Sequence, residues 1–400
     1  MSRVALLKGG RSLERNISLR SAAQVQDALE RLGHEVAGID VGPDLVEQLE
    51  AAQADVAFVA LHGRGGEDGT VQELLELVGL PYTGSGPAAC IRCMDKVVAK
   101  HAMRDAGIPT PDFYAFSETA FRDLGAAKAL PAIEARPDVA FVALHGRDGE
   151  DGTVQEILEL LDVPYTGSGV SACMRCADKV VAKHAMRDAG IPTPDFYSFS
   201  ETAFRELGAA KALPAIEARL EFPVVVKPAG QGSALGIKFA ASAADVPGAL
   251  IAAFSYDTKV LLERHVAGRD LAVSVIEGPD GPEALPLVEA IPREEDFYDF
   301  EARYEIGRTD FRCPAEVGEE TTLRAQELAV AVYRLLGCYG FARVDLMLEE
   351  ATGELEVLEA NAIPGLTETS LLPQAAEAAG IDFDALIERV LDLALARAPA

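Results

Sequence analysis

The sequence predicts an α/β protein built from several lobes, and three observations point to it. Residues 3–40 run strand, glycine turn, helix, strand, the order of a parallel sheet with crossover helices. Residues 224–277 alternate apolar strands around a glycine-rich loop. Near the C-terminus, FARVDLMLE and ELEVLEANA read as paired strands whose polar residues cluster at one end.

The elements follow in order. RVALLK (3–8) is a buried strand and Gly9-Gly10 a tight turn. Residues 18–32 place Leu19, Ala22, Val25, Leu29 and Leu32 on one helical face, closed by Gly33. HEVAGID and DVAFVALHG are strands; the loop HGRGGEDGT, the helix VQELLELVG and the segment LPYTGSG complete a small lobe. DKVVAKHAMRDAG is a helix capped by Asp95 or Asp178 and stopped by Gly107 or Gly190. Prolines keep IPTPDFY extended. Strand, loop and strand over 222–240 precede a helix over 242–254 and strands around 259–277. Residues 296–316 lack periodicity and read as a mobile loop. A long helix over 319–336, the two polar-ended strands and two helices finish the chain.

DKVVAKHAMRDAG occurs twice because residues 55–136 and 138–219 are a tandem repeat, offset by 83 positions and identical at 71 of 82. Two copies of this length do not make a solenoid. One copy is surplus, and the remaining 317 residues suffice for a multi-lobed enzyme. Three threadings are open: the first half of copy one with the second half of copy two, copy one throughout, or copy two throughout. Loop-closure entropy barely separates them. Chain continuity favours the first, with domains at 1–86, 171–265 and 266–400 and a surplus segment at 87–170.

A net charge of −28 argues against a nucleic-acid partner, and an anionic substrate needs a local basic pocket. No apolar run is long enough to span a bilayer, and the N-terminal run is too short for a signal peptide, so a cytoplasmic protein is expected. Cys90, Cys93, Cys173 and Cys176 form two C-x-x-C pairs, but the second pair duplicates the first and neither has partner ligands at zinc-finger spacing. Ordinary thiols in a reducing compartment are expected.

Alternation puts Arg343 with Asp345 and Glu359 with Asn361, so two carboxylates and an amide oxygen converge beside an arginine. Hard oxygen donors suit Mg²⁺ on nucleotide phosphates; the alternative is a hairpin with polar ends. Lys227 precedes Gly230, Gly232, Ser233 and Gly236, a loop whose backbone N–H groups can approach phosphate. It lacks the Walker A order, and a plain hairpin remains the alternative.

Several segments together resemble the D-alanine–D-alanine ligases of the ATP-grasp superfamily: GGRSLERNISL (9–19), LHGRGGEDGT (61–70), PYTGSG (81–86), VVVKPAGQGSALG (224–236), FYDFEARY (297–304), FARVDLML (341–348) and LEANAIPGLTETSLLP (358–373). The resemblance covers nearly all of the chain apart from one repeat. It implies an ATP-grasp fold behind a Rossmann-like N-terminal domain. It also implies ATP-dependent ligation of two D-alanine molecules for peptidoglycan precursors, with two Mg²⁺ ions that Mn²⁺ could replace, and a homodimer. By the same resemblance, Asp345, Glu359 and Asn361 hold the metals and Arg343 stabilises the oxyanion. Lys179, Lys227, Gly232 and Ser233 meet ATP phosphates, Glu263 the adenine and Asp270 the ribose. Glu14 pairs with the first D-alanine ammonium, His62 lies near that substrate, Ser370 takes the second carboxylate, and Tyr304 closes over the site with Ser233 and Glu14. Bland alternatives are a solvated turn for Glu14, a structural His62, an N-cap at Ser370 and loop packing at Tyr304.

Some positions depart from the family pattern. Arg303 replaces a common lysine, Ala234 a frequent serine and Asp270 a glutamate. Tyr304 rather than phenylalanine favours an amine nucleophile over D-lactate. D-serine or D-lactate as second substrate, or an inactive ATP-binding relative, are the competing functions. Continuity makes His62 and Lys179 the working copies and His145 and Lys96 the spare ones.

Overall fold

The computed structural model describes residues 1–111, 138–146, 149–206, 220–231, 236–292, 309–367 and 370–397. The chain divides into two compact units, Met1–Ala99 with Asp195–Ala229 and Gly236–His265, and Lys100–Pro194 with Gly230–Leu235 and Val266–Ala400. It opens with β1 (Arg3–Lys8), α1 (Arg15–Arg31), β2 (Glu35–Asp40), α2 (Leu45–Ala52) and β3 (Val56–Val59). These make the expected parallel sheet in the order β2-β1-β3. Next come α3 (Thr70–Val78), α4 (Pro87–Met94) and α5 (Lys96–Asp105), then from the second repeat α6 (Thr153–Leu160), α7 (Val170–Ala177) and α8 (Lys179–Asp188).

A second sheet of the first unit, in the order β4-β7-β5-β6, contains β4 (Phe196–Ser200), β5 (Val224–Pro228), β6 (Lys238–Ala240) and β7 (Lys259–Arg264), with α9 (Glu201–Glu206) and α10 (Val246–Phe254). α3 joins the two sheets of this unit: Leu74, Leu75 and Leu77 share one core with Leu7, Phe199, Val224 and Leu262. Each such leucine contributes roughly 1.5–3 kcal/mol of burial. The buried Ser198 hydroxyl donates to Glu73 of α3. Ser198 stands where the first repeat has Ala115, so one of the eleven repeat differences supplies a contact between the copies.

The second unit is built on β8 (Gly268–Gly278), β9 (Gly281–Ala284), β10 (Val288–Pro292), β11 (Thr309–Arg312), α11 (Glu319–Leu336), β12 (Phe341–Glu349), β13 (Leu355–Asn361), α12 (Leu371–Ala378) and α13 (Phe383–Leu395). Its antiparallel sheet runs β11-β10-β8-β12-β13, with β9 on β8. One face buries Leu271, Val273, Val344, Leu346 and Val357 against Ala325, Ala329 and Val332 of α11. The other buries Ala272, Ile276 and Val288 against Leu372 and Leu386 of α12 and α13. Residues 309–312 correct the expectation of a loop over 296–316, because β11 pairs with β10 and forms the edge of the sheet; residues 293–308 lie outside the described residues. Among the described residues no helix is long and apolar enough to cross a membrane.

The two repeats show how far context overrides local sequence. VAFVALHG is identical at 56–63 and 139–146. In the first copy it forms β3 on β1; in the second, only an Ala140–Tyr165 bridge forms. Strand propensity needs a neighbour to pair with. Likewise α5 and α8 share KVVAKHAMRD, yet α5 buries only His101 whereas α8 buries seven residues. The six cysteines are free thiols. Cys173 and Cys176 pack in the core of the second unit, with Cys176 Sγ 3.7 Å from Cys338 Sγ.

Candidate active site

In the second unit, Arg343 lies directly across the antiparallel pair from Asn361, and Asp345 from Glu359. Opposite residues share a sheet face, so all four side chains emerge together. The register explains how Glu359 gets there. Asp345 pairs with Glu359 but Leu346 pairs with Val357, leaving Leu358 as an extra residue, a β-bulge. Strict alternation from the core residues Leu355 and Val357 would have turned Glu359 into the apolar core. Alternation within Glu359–Asn361 was legible in the sequence; the bulge was not.

The acidic groups are held by cations. Arg343 Nε and Nη2 donate to the two Asp345 carboxylate oxygens at 2.6 and 2.8 Å, and Asp345 is buried. This bidentate geometry is among the stronger hydrogen-bonded pairings. Lys179 is buried at the start of α8, where the Asp178 side chain caps the helix. Its Nζ lies 3.3 Å from Glu359 Oε2 and donates to the Gln231 carbonyl at 2.7 Å. The first-repeat counterpart, Lys96, is exposed. Asn361 Oδ1 accepts the Ile363 N–H at 2.9 Å. Asp270 lies opposite Met347 on β8, on the same sheet face as Asp345.

Ser370 is the N-cap residue of α12 but makes no side-chain cap. Its hydroxyl instead accepts the Thr367 N–H at 3.0 Å and meets Thr367 Oγ1 at 2.8 Å. A Cβ at Gly365 would stand 2.6 Å from Ser370 Oγ, so glycine permits this close turn.

His145 was not among the expected site residues, but it belongs to this group. Its Nδ1 lies 3.2 Å from Glu150 Oε1, and its ring also meets the Ile363 backbone. The bond to Glu150 raises the imidazole pKa above its ordinary value, against burial and the nearby Arg343 guanidinium, which lower it.

The first unit holds the other candidates. The buried Lys227 and Glu263, on β5 and β7, form an ion pair. Both sit on one face of their sheet, since Val225 is the residue opposite Glu263. His62 Nδ1 lies 3.3 Å from Glu67 Oε1 and its Nε2 3.2 Å from Ser21 Oγ, while its carbonyl accepts the Ser12 hydroxyl at 2.7 Å. Glu14 precedes α1 and is exposed; a Cβ at Gly63 would come within 3.2 Å of its Oε1. A small pocket of about 40 Å³ runs between the Gly9-Gly10 turn and the His62 loop. Gly232, Ser233 and Tyr304 lie outside the described residues.

The donor set can be tested against a metal. Among the described residues no group of three or more His, Cys, Asp or Glu could by itself hold an ion. Two carboxylates and an amide on one face suit a hard cation whose remaining ligands are phosphate and water oxygens, as Mg²⁺ prefers.

Comparison with known proteins decides the family. The family model described as D-ala D-ala ligase C-terminus matches residues 185–392, and that described as D-ala D-ala ligase N-terminus matches 43–85 and 101–168. The D-alanine--D-alanine ligase of Syntrophotalea carbinolica is 35% identical over 389 residues, covering 97% of this chain and 95% of that protein. The chain belongs to the D-alanine–D-alanine ligase family. It is therefore an enzyme of the ligase class with the ATP-grasp fold. The relative from Carboxydothermus hydrogenoformans is 42% identical over 259 residues, 64% of this chain and 81% of that ligase. Those 259 residues at 81% set its length at about 320, close to the 317 left here without one repeat. Among solved structures, the VanG D-Ala:D-Ser ligase from Enterococcus faecalis matches with a TM-score of 0.57 and 26% identity, over 98% of this chain and 99% of that one.

Proposed function

We propose that this ligase joins two D-alanines to D-alanyl-D-alanine at the expense of ATP, through a D-alanyl phosphate, in the cytoplasm and as a homodimer. The observation behind it is the Arg343, Asp345, Glu359, Asn361 and Lys179 cluster in a chain of this family. A carboxylate is a poor electrophile, so the first D-alanine is activated by phosphoryl transfer, which needs positioning and cations more than covalent help. Asp345, Glu359 and Asn361 would hold Mg²⁺, which neutralises phosphate charge when bound. Lys179 and Lys227 would meet ATP phosphates, Glu263 the adenine and Asp270 the ribose. Arg343 stabilises the oxyanion formed when the second amine attacks, a contribution worth about 10²–10³ in kcat for a single such donor. Glu14 pairs with the first ammonium, and Ser370 with the adjacent Leu371 backbone at the start of α12 takes the second carboxylate. Ser233 and Tyr304 complete the closure that shields the acyl phosphate from water.

Burial supports the threading in which the first half of copy one and the second half of copy two do the work. Leu74, Leu75 and Leu77 are core residues, and so are Cys173, Val180 and Met186. Lys179 is accordingly the working lysine. His145 is the exception to that threading: it lies beside Arg343 in the second unit and is not merely spare. A second reading, D-serine as the second substrate, draws on the likeness to a D-Ala:D-Ser ligase. Phosphate release with ATP, Mg²⁺ and D-alanine, compared with L-alanine, D-serine and D-lactate, tests these readings. D-alanyl-D-alanine formed from D-alanine alone is expected. A mixed product favoured over it would establish the second reading, and ATP binding without turnover would defeat both.

A further inference from the structure

Away from these residues, the second unit contains a cleft of about 460 Å³. Four arginines from separate elements line it: Arg104 near the end of α5, Arg175 on α7, Arg334 in the last turn of α11 and Arg397 after α13. Two carboxylates, Asp105 and Glu159, share the lining. Burial lowers the pKa of the neighbouring His101, which favours its neutral form. The lining is therefore net positive by two charges, in a chain of net charge −28.

The carboxylates are already engaged. Glu159 accepts the Tyr165 hydroxyl at 2.8 Å. Asp105 accepts Arg175 Nη2 at 2.9 Å and the Ser171 hydroxyl at 3.1 Å. Arg397 is fixed over the Tyr165 and Tyr339 rings, 4.4 and 5.4 Å from their centroids, and donates to the Gly167 carbonyl at 3.2 Å. A Cβ at Gly169 would stand 2.7 Å from its guanidinium, so this glycine leaves room for it.

We propose that this arginine-lined cleft is a second anion site, for a phosphate-bearing organic molecule, created by the tandem duplication. Planar guanidinium forks match phosphate oxygens. The backbone N–H groups at the start of α7, where Gly169 offers no side-chain cap, add to the field. The volume exceeds that of a bare phosphate ion and falls within the range of small-molecule pockets. The lining takes His101, Arg104 and Asp105 of α5 from copy one and Val170, Ser171 and Arg175 of α7 from copy two, so a chain with a single repeat has no such cleft. The copies differ where they meet: Ser171, which bonds Asp105, stands where copy one has Ala88. That substitution ties α5 down.

Inorganic pyrophosphate, titrated calorimetrically into the full chain, is the probe. Arg104→Ala with Arg334→Ala, both exposed positions, should weaken binding at least tenfold and leave D-alanine-dependent turnover unchanged. Ser171→Ala should weaken binding several-fold by loosening α5. Lys179→Ala, at the active site, should retain the cleft binding. Unaltered affinity in the double arginine variant, or loss of binding in Lys179→Ala with retention in the arginine variant, would put pyrophosphate at the ATP site and overturn the proposal. So would an absence of binding to the unaltered chain.

Discussion

Replacing Lys227 by alanine leaves the Glu263 carboxyl buried and without its lysine. The side chains are only 6% and 4% exposed, so solvent cannot screen the loss. Removing one member of such a buried pair costs about 3–5 kcal/mol. The affected unit holds roughly 160 residues, and at that size each kcal/mol shifts Tm by about 2–4 °C, so a drop of roughly 6–20 °C is expected. Thermal denaturation followed by circular dichroism reads it. The paired variant Lys227→Met, Glu263→Leu removes both charges at similar volume and should recover most of the lost stability while still failing to bind ATP. A Tm shift under about 2 °C for Lys227→Ala, the behaviour of an exposed pair, would mean that the pair carries no such stability. So would a paired variant no more stable than the single one.

Further expectations follow from the same geometry. Lys179→Ala should lower kcat by about 10²–10³, whereas the exposed Lys96→Ala should leave it unchanged; steady-state kinetics on both variants checks this. Deleting Leu358 removes the extra residue and joins Val357 to Glu359 in a regular ladder that still sets Glu359 opposite Asp345, so steady-state kinetics should show turnover largely retained; abolished turnover would show that the bulge itself shapes the site. His145 titrates above the ordinary imidazole value because of Glu150. A raised folded pKa means that folding takes up a proton. The contribution is therefore fully present below the unfolded pKa and fades as pH rises through the folded one. Glu150→Gln should remove this pH-dependent part, read as unfolding midpoints at acidic and mildly alkaline pH.

Much of this was legible in the sequence because the signals were local. Apolar periodicity placed α11 at 319–336, and period-two alternation placed β12 at 341–349. Arg343 and Asp345 follow from one strand's alternation and nothing else. What was hidden depended on partners far away in the chain. The bulge at Leu358 is set by register with β12. Strand β11 exists because β10 offers an edge. His145 and His62 sit in identical HGR segments, so no local feature distinguishes them; the chain around them gives one Arg343 and the Ile363 backbone and the other Ser21. The repeat itself was plain, but which half of each copy is buried is a tertiary fact.

In the proposed reaction a D-alanine carboxylate attacks ATP and its activated form is then captured by an amine. D-alanine carrying ¹⁸O in its carboxylate, incubated with the chain, ATP and Mg²⁺, tests it by mass spectrometry of the released phosphate. One ¹⁸O per phosphate, with D-alanyl-D-alanine accumulating in step, is the predicted result. Phosphate without label would mean that water attacks ATP directly and that no acyl phosphate forms.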